Sequence, residues 1–196
     1  MPNPVWTMEE ANLFCGAGAS DSAHSNHLIL TELKLPGLDQ QYVDHRGSGS
    51  PVAIELSTIM GRLECTFMLV GFTPQVMELL RSWSATSQWF TAYGVIRDQV
   101  TGDLAQAAAA IKGQLARVDP QNWRRGDILH TAYSIRAIRH YELQIAGEQI
   151  YYWDFAENTF IVDNIDQNLQ INSYLNVGAV TVTPALVTTG PFVPAP

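Results

Sequence analysis

The stretch Thr131–Ile145, TAYSIRAIRHYELQI, has the most regular pattern of the chain. Apolar side chains alternate with polar ones along it, which is typical of a β-strand with one face turned toward a core. The apolar face carries Tyr133, Ile135, Ala137, Tyr141, Leu143 and Ile145, and the other face carries Ser134, Arg136, His140, Glu142 and Gln144. The sequence therefore predicts a strand over these residues.

Turn signals on both sides of this strand predict hairpins. Ala146–Gln149 is a tight turn that leads into a second strand over Ile150–Phe155. Upstream, a strand over Trp89–Arg97 is followed by a turn over Asp98–Asp103, and this turn predicts a returning strand from Leu104. The returning segment is rich in alanine, which favours a helix by intrinsic propensity, but pairing after the turn favours a strand.

The remaining segments complete a mainly β (α+β) fold, a β-barrel or sandwich. Further strands are predicted over Leu28–Leu35, Val52–Ser57, Leu63–Val70 and Phe160–Val162. Thr73 and Pro74 mark the start of one principal helix, at about 73–83, as N-cap and first helical residue. Residues 1–27 are interpreted as irregular chain or a short strand ending in a loop. The predicted organisation is one domain over residues 1–170 and an extended Pro-rich C-terminal tail over 171–196.

Composition narrows the class of protein. The 196 residues have a formal charge of −8, the same sign as phosphate, which disfavours an electrostatically driven nucleic-acid binder. We expect neither a membrane span nor an export signal, because no apolar run approaches the length of a span and the N-terminus has no basic start. Only 15% of the residues are charged, against about 25% in typical domains, so we expect much of the surface to be buried against partners.

Residues with chemical potential do not form a recognisable active site. Gly16 and Gly18 lack the rest of a phosphate-binding loop, and His24 and His27 lack further metal ligands at a usual spacing. The aromatic strand around Trp153 fits a sugar-stacking platform, but it fits a core or an interface better. Asp154, Glu157, Asp163 and Asp166 are candidates for the acid/base pair of a β-rich glycosidase, although surface solvation is the better interpretation. We therefore expect no catalytic, cofactor or metal site.

The order of several short motifs is more informative than any single one. These motifs lie within residues 12–168 and are Asn12-Leu13-Phe14, Leu35-Pro36, Tyr42, Arg46-Gly47, Gly49, Pro51-Val52, Gly71-Phe72-x-Pro74, Thr101-Gly102, Lys112-Gly113, Tyr141-Glu142-Leu143, Gly147-Glu148 and Asp163-Asn164. In this order and spacing the sequence resembles the major tail tube protein family of contractile-tailed bacteriophages. The alanine-rich strand and the segment after about residue 170 depart from the family pattern.

The resemblance implies a structural virion protein rather than an enzyme. It implies an inner tail tube of stacked rings, usually hexameric, whose sheets join into a continuous inner β-barrel. Its expected partners are further copies of itself, the tail sheath protein, and the initiator, baseplate and terminator proteins of the tube. DNA would pass through the lumen without tight binding during genome ejection, and assembly would take place in the host cytoplasm.

Two sets of residues are candidates for contacts between copies. The long polar segment 38–51 is interpreted as a loop that reaches a neighbouring subunit, and its candidate contact residues are Tyr42, Arg46, Gly47, Gly49 and Pro51. Cys15 and Cys65 are interpreted as buried thiols, with an intersubunit disulfide as the alternative if they lie at a subunit boundary.

Two other functions are alternatives. One is the tube of a phage-derived machine, such as a tailocin or a type VI secretion-like device. The other is a monomeric β-sandwich that binds carbohydrate or hydrolyses its substrate, for which a charge-rich surface would have been expected.

Overall fold

The computed structural model describes residues 4–16, 24–49, 51–80 and 86–177, and these ranges contain eleven strands and two short helices. The strands are β1 (Trp6–Cys15), β2 (Leu30–Lys34), β3 (Gln40–His45), β4 (Ile54–Met60), β5 (Cys65–Val70), β6 (Gln88–Asp98), β7 (Leu104–Pro120), β8 (His130–Ile145), β9 (Glu148–Asp154), β10 (Thr159–Val162) and β11 (Ile165–Asp166). The helices are α1 (Pro74–Met77) and α2 (Leu169–Tyr174). The predicted mainly β fold is confirmed.

Strand β8, which contains the stretch quoted above, is the centre of the main sheet. The sheet is antiparallel and runs in the order β1-β6-β7-β8-β9-β10-β11. On the side away from β7, the first half of β8 pairs with β5 and the second half pairs with β9. Strand β2 pairs with β5, so the sheet divides into two branches along β8.

A bulge in β8 separates the two branches. Ala137 has a φ of 49°. In the pairing with β7, Arg136 lies opposite Gln114 and His140 lies opposite Lys112, so four residue steps in β8 match two in β7. The bulge inserts two extra residues into β8 and interrupts the alternation of side chains between Ile135 and Tyr141. Ala137 is therefore exposed and Ile138 is buried in the core, which corrects the predicted placement of Ala137 on the apolar face.

The main core lies between the two branches and one face of β6 and β7. Its buried residues are Leu13, Cys15, Cys65, Phe67, Leu69, Val76, Phe90, Ala92, Ala109, Ile111, Leu115, Tyr133, Ile135, Ile138 and Tyr141. The rings of Phe67 and Tyr133 stack across the β5–β8 pair at 4.9 Å. Burial of these side chains is the main stabilising contribution to the fold.

The alanine-rich segment is a strand, as the turn before it predicts. Asp98 donates its backbone N–H to the carbonyl of Asp103 and closes the turn between β6 and β7. Alanine suits this strand because it is covered on both faces: Ala109 packs in the main core, and Ala110 on the other face packs under Trp89. Larger side chains at these positions would clash with that cover.

The predicted hairpin turn between β8 and β9 is also confirmed. Ala146 and Gly147 both have positive φ, 53° and 83°, between β8 and β9, which is the geometry of a two-residue hairpin turn. Asp163 and Asn164 have φ of 51° and 61° and form the same kind of turn between β10 and β11. Aspartate and asparagine tolerate this left-handed region better than most residues.

Three predictions about the periphery are corrected. The principal helix at 73–83 is a single turn, α1, whose residues Val76 and Met77 bond back to the carbonyl of Thr73, and 81–83 lie outside the described residues. Residues 1–27 contain the ten-residue strand β1, which forms because β6 offers an edge to pair with. Helix α2 continues regular structure to Tyr174, beyond the expected start of an extended tail, and 178–196 lie outside the described residues.

Candidate functional site

A two-stranded hairpin projects from the rest of the described chain. It consists of β3, β4 and the connection between them, residues 40–60, and we call it the arm. The arm forms a sheet of its own, separate from the main sheet, and every residue of both strands is exposed. At its base Gly61 donates its backbone N–H to the carbonyl of Asp39, which holds the two ends of the arm together.

The two faces of the arm differ in chemistry. Directly opposite residues of antiparallel strands point to the same face, and Tyr42 pairs with Ser57 while Asp44 pairs with Glu55. One face therefore carries an aromatic ring and two carboxylates, and we call it the acidic face. The other face is mainly apolar and carries Val43, Ile54 and Leu56, with His45 opposite Ile54. An isolated two-stranded hairpin is marginal in water, and an exposed apolar face of this kind is typical of an interaction surface.

The arm contains all of the loop residues that the sequence singles out. Tyr42 lies within β3, so the segment 38–51 is not a loop throughout. Its first part pairs with β4, because Tyr42 and Val43 are residues that favour strands. Arg46, Gly47 and Gly49 lie in the connection between the strands, and Pro51 lies near the start of β4. Gly49 has a φ of 87°, a conformation that glycine adopts without strain. Whether these residues contact another subunit stays a prediction.

An open cavity of about 500 Å³ lies where the base of the arm meets the fork of the main sheet. Its lining residues come from the arm base, β8, β9, β10 and the N-cap of α2, and include Met60, Glu64, Arg136, Trp153 and Asn168. Glu64 is the single carboxylate among the lining residues, and it pairs with Arg136 at 3.0 Å. The hydrogen bond from Arg136 holds the pKa of Glu64 below its ordinary value. A glycosidase needs two carboxylates, one of them protonated, so this cavity does not have that arrangement.

The β7–β8 loop forms a second exposed surface, at residues 121–129. Trp123 is 77% exposed, and Arg124 and Arg125 beside it are exposed and have no ion pair within the described ranges. The ring of Phe72 meets the ring of Trp123 edge-on at 5.8 Å and supports it from below. This combination of an aromatic ring with two guanidinium groups is typical of a protein contact surface. These residues are not among the candidates predicted from the sequence, although the string QNWRRGDI at 121–128 is a visible signal.

A buried polar cluster lies on the opposite face of β8 from the main core. The side chain of Glu142 is fully buried and accepts a hydrogen bond from Gln144 at 2.7 Å. His140 Nδ1 lies 2.9 Å from Asp154 Oδ2, and its Nε2 lies 3.9 Å from Glu142 Oε2. Burial opposes the charged ring, but the two carboxylates outweigh it and raise the pKa of His140 above its ordinary value. The rings of Trp89 and Tyr152 enclose the imidazole, so this cluster is a structural network closed to substrate.

The four carboxylates that the sequence offers as glycosidase candidates lie in or next to turns, and three of them accept hydrogen bonds there. Asp154 Oδ1 accepts the backbone N–H groups of Ala156 and Glu157, and Glu157 accepts the hydroxyl of Tyr152 at 3.0 Å. Asp166 accepts the backbone N–H of Asn168 at 2.9 Å. Asp163 lies in the β10–β11 turn. These contacts stabilise turns, and none of the four carboxylates is among the lining residues of the cavity at the arm base.

The two cysteines are free thiols in the core. Cys15 and Cys65 are both buried, in the same cluster. Burial raises the pKa of each thiol to about 12, so the reactive thiolate is scarce at neutral pH. The interpretation as buried thiols is confirmed. Whether either cysteine forms an intersubunit disulfide stays a prediction, and both sulfurs are buried within this chain.

No metal site is present in the part of the chain that the structure describes. Within it, no group of three or more histidine, cysteine, aspartate or glutamate side chains could hold a metal ion. His27 instead contacts the hydroxyl of Ser25 at 3.2 Å. Gly18, which the sequence analysis pairs with Gly16, lies outside the described residues. In the same described ranges, no helix has the length and hydropathy that a membrane crossing requires.

The family model for phage tail tube protein FII matches residues 21–175, well over half of the chain. The chain belongs to this tail tube family. The matched range contains the arm, the β7–β8 loop and every strand from β2 to β11. The resemblance found in the sequence is therefore confirmed, and the surfaces described above are those of a tail tube protein. No protein of curated function matches the sequence significantly.

Solved structures give the same fold for this tail tube protein. It is similar to a chain in the cryo-EM structure of the anti-feeding prophage baseplate, with a TM-score of 0.51 and 11% identity, over 75% of this chain and 98% of that chain. A chain of the sheath/tube terminator of the extracellular contractile injection system PVC has a TM-score of 0.48 and 10% identity, over 74% of this chain and 96% of that chain. The first of these likenesses shows a shared fold.

Proposed function

We propose that this chain forms the inner tube of a contractile phage tail by stacking rings of identical copies. The observation that carries the proposal is the arm, a hairpin whose two strands are exposed throughout and present a mainly apolar face, in a member of the tail tube family. Val43, Ile54 and Leu56 on this face would be covered by a neighbouring copy. Covering them would also stabilise the hairpin, which has no support from the main sheet beyond its base.

Ring formation would use the open edges of the main sheet. Strands β1 and β11 are the two ends of the sheet order, and each has a sheet neighbour on one side only among the described residues. Val5, Trp6 and Met8 at the start of β1 are exposed apolar residues on such an edge. An edge of this kind is prone to pair with another chain, and head-to-tail pairing with identical copies closes a ring. Six copies would give the usual ring of the family.

The tube would act as the conduit for the genome inside a contractile sheath. The formal charge of −8 has the same sign as DNA, so the acidic share that faces the lumen would repel DNA and let it slide. Further partners would be the sheath protein and the initiator, baseplate and terminator proteins at the tube ends. The protein would act as a structural component of the virion, assembled in the host cytoplasm, with no catalytic step.

Replacing the arm tests this proposal. Because Asp39 and Gly61 are hydrogen-bonded at the base, a Gly-Ser linker can replace residues 40–60 without disturbing β2 or β5. We expect this variant to keep the circular dichroism and the unfolding temperature of the main sheet, and to form no tubes in negative-stain micrographs. Tubes as abundant as those of the unmodified protein would contradict the proposal.

A double substitution tests whether assembly requires the apolar side chains of the arm and not only an intact hairpin. Val43→Ser combined with Leu56→Ser removes apolar area from the arm and should raise the protein concentration needed for tube formation. Leu28→Ser is the matched control, because Leu28 is exposed but lies outside the arm, and it should assemble like the unmodified protein.

A further inference from the structure

The arm and the β7–β8 loop are placed at opposite ends of strand β5. Cys65, at the start of β5, pairs with Ile135 and follows the base of the arm directly. Val70, at the end of β5, pairs with His130, which follows the β7–β8 loop. The next residue, Gly71, donates its backbone N–H to the carbonyl of Leu129 in that loop at 2.8 Å. In one copy, the base of the arm thus lies at the start of β5 and the β7–β8 loop lies at its end.

Among the residues that the structure describes, no cation pairs with the carboxylates of the acidic face of the arm. Asp44 and Glu55 are directly opposite each other, and like charges in this position destabilise a strand pair. Neither carboxylate has an ion pair within the described residues. Tyr42, 57% exposed, lies two residues from Asp44 on the same face. A cationic and aromatic surface placed against this face would relieve the repulsion and cover the tyrosine ring.

The β7–β8 loop has the complementary chemistry. Arg124 and Arg125 supply two guanidinium groups, which bind carboxylates through paired hydrogen bonds and stack on aromatic rings. Trp123 is held outward by Phe72 and offers an aromatic surface for Tyr42. The segment Trp123–Arg125 therefore offers one ring and two positive charges to the one ring and two carboxylates of the acidic face, and the exposed Asp127 of the same loop lies outside that segment.

We propose that the acidic face of the arm of one copy binds the Trp123–Arg125 loop of a copy in the next ring. This inference rests on the proposed function and names the contact that joins successive rings. When the interface joins two different surfaces at opposite ends of a molecule, a growing stack always has a free arm at one end and a free loop at the other. Copies can therefore add without limit along one direction. That is the property a stack of rings requires.

Charge reversal tests the contact. We expect Asp44→Arg/Glu55→Arg and, separately, Arg124→Glu/Arg125→Glu to raise the protein concentration needed for tubes about tenfold or more, because each places like charges together. Combining all four substitutions in one chain should restore tubes. Mixing the two charge-reversed proteins should also restore them, because the basic arm of one then meets the acidic loop of the other in alternation.

Controls separate this inference from the proposed function. Asp103→Arg/Glu148→Arg changes the net charge by the same amount at exposed sites outside both surfaces and should assemble normally. Two results would overturn the arm–loop contact while leaving the tube function standing, provided that the unmodified protein forms tubes. In the first, either charge-reversed variant forms tubes at the same protein concentration as the unmodified protein. In the second, tubes are lost in these variants and are restored neither in the mixture nor in the fourfold variant. Absence of tubes from the unmodified protein under all conditions would count against both.

Discussion

His140 Nδ1 lies 2.9 Å from Asp154 Oδ2, and this contact joins β8 to the end of β9 inside a site with almost no access to water. The other oxygen of Asp154 accepts the backbone N–H groups of Ala156 and Glu157. One carboxylate therefore fixes both the imidazole ring and the loop that leads into β10. The network holds the β9 branch of the sheet in place beside the cavity at the arm base.

Replacing His140 should destabilise the fold in a pH-dependent way. The folded state raises the pKa of His140 above its ordinary value of 6.5. The resulting stabilisation is fully present below about pH 6.5 and is lost as the pH rises through the folded-state pKa. His140→Gln should cost on the order of 3 kcal/mol at pH 5.5 and clearly less at pH 9, measured by urea unfolding. An equal cost at both values would contradict the charged pair, and the exposed His45→Gln variant should show no cost at either.

Gly113 lies opposite the bulge of β8, and it should not tolerate a side chain. A Cβ atom there would lie 2.8 Å from Ile135 Cγ2 and 3.0 Å from the backbone oxygen of Arg136, neither of which can move freely in the core. Gly113→Ala should reduce the free energy of unfolding by about 1–3 kcal/mol. Gly37→Ala is the control, because nothing lies within 4 Å of the added atom, and it should be nearly neutral. Equal stability of the two variants would show that the close approach at Gly113 is not real.

The sequence predicts the hairpins better than the edges of this fold. The turn at Asp98–Asp103 correctly overrides the helix propensity of the alanines in β7, because pairing with β6 and β8 decides the conformation. The sequence allows only a short strand within residues 1–27 and does not predict the ten residues of β1, because the first half of β1 is exposed and pairs with an edge that only the folded β6 provides. The bulge at Ala137 interrupts the alternation within β8, and nothing in the local sequence marks it.

The sequence predicts only part of the two surfaces proposed for assembly, the arm and the β7–β8 loop, because the rest depends on contacts that form in the fold. Segment 38–51 is recognisable because it is long, polar and similar to the family pattern, and Tyr42 within it does lie on the exposed arm. The apolar face of the arm is missed, since it requires the register of β3 with β4. The role suggested for Trp123 depends on Phe72, which is distant in sequence and meets it only in the fold.

The core thiols should be unreactive in the native protein. Burial raises the pKa of Cys15 and Cys65 to about 12 and also blocks access to the sulfur atoms. A thiol reagent at pH 8 should label neither cysteine in the folded protein and both in the unfolded protein. Assembled tubes should migrate as monomer on non-reducing gels, whereas a ladder of covalent oligomers would show that the cysteines leave the core during assembly.

The most direct test of the tube function is electron microscopy of the purified protein across a concentration series, combined with sedimentation velocity. The account predicts rings at moderate concentration and hollow tubes of constant bore at high concentration, with no other protein present. A 21.7 kDa monomer at every concentration and salt condition would contradict self-assembly through the arm and the sheet edges.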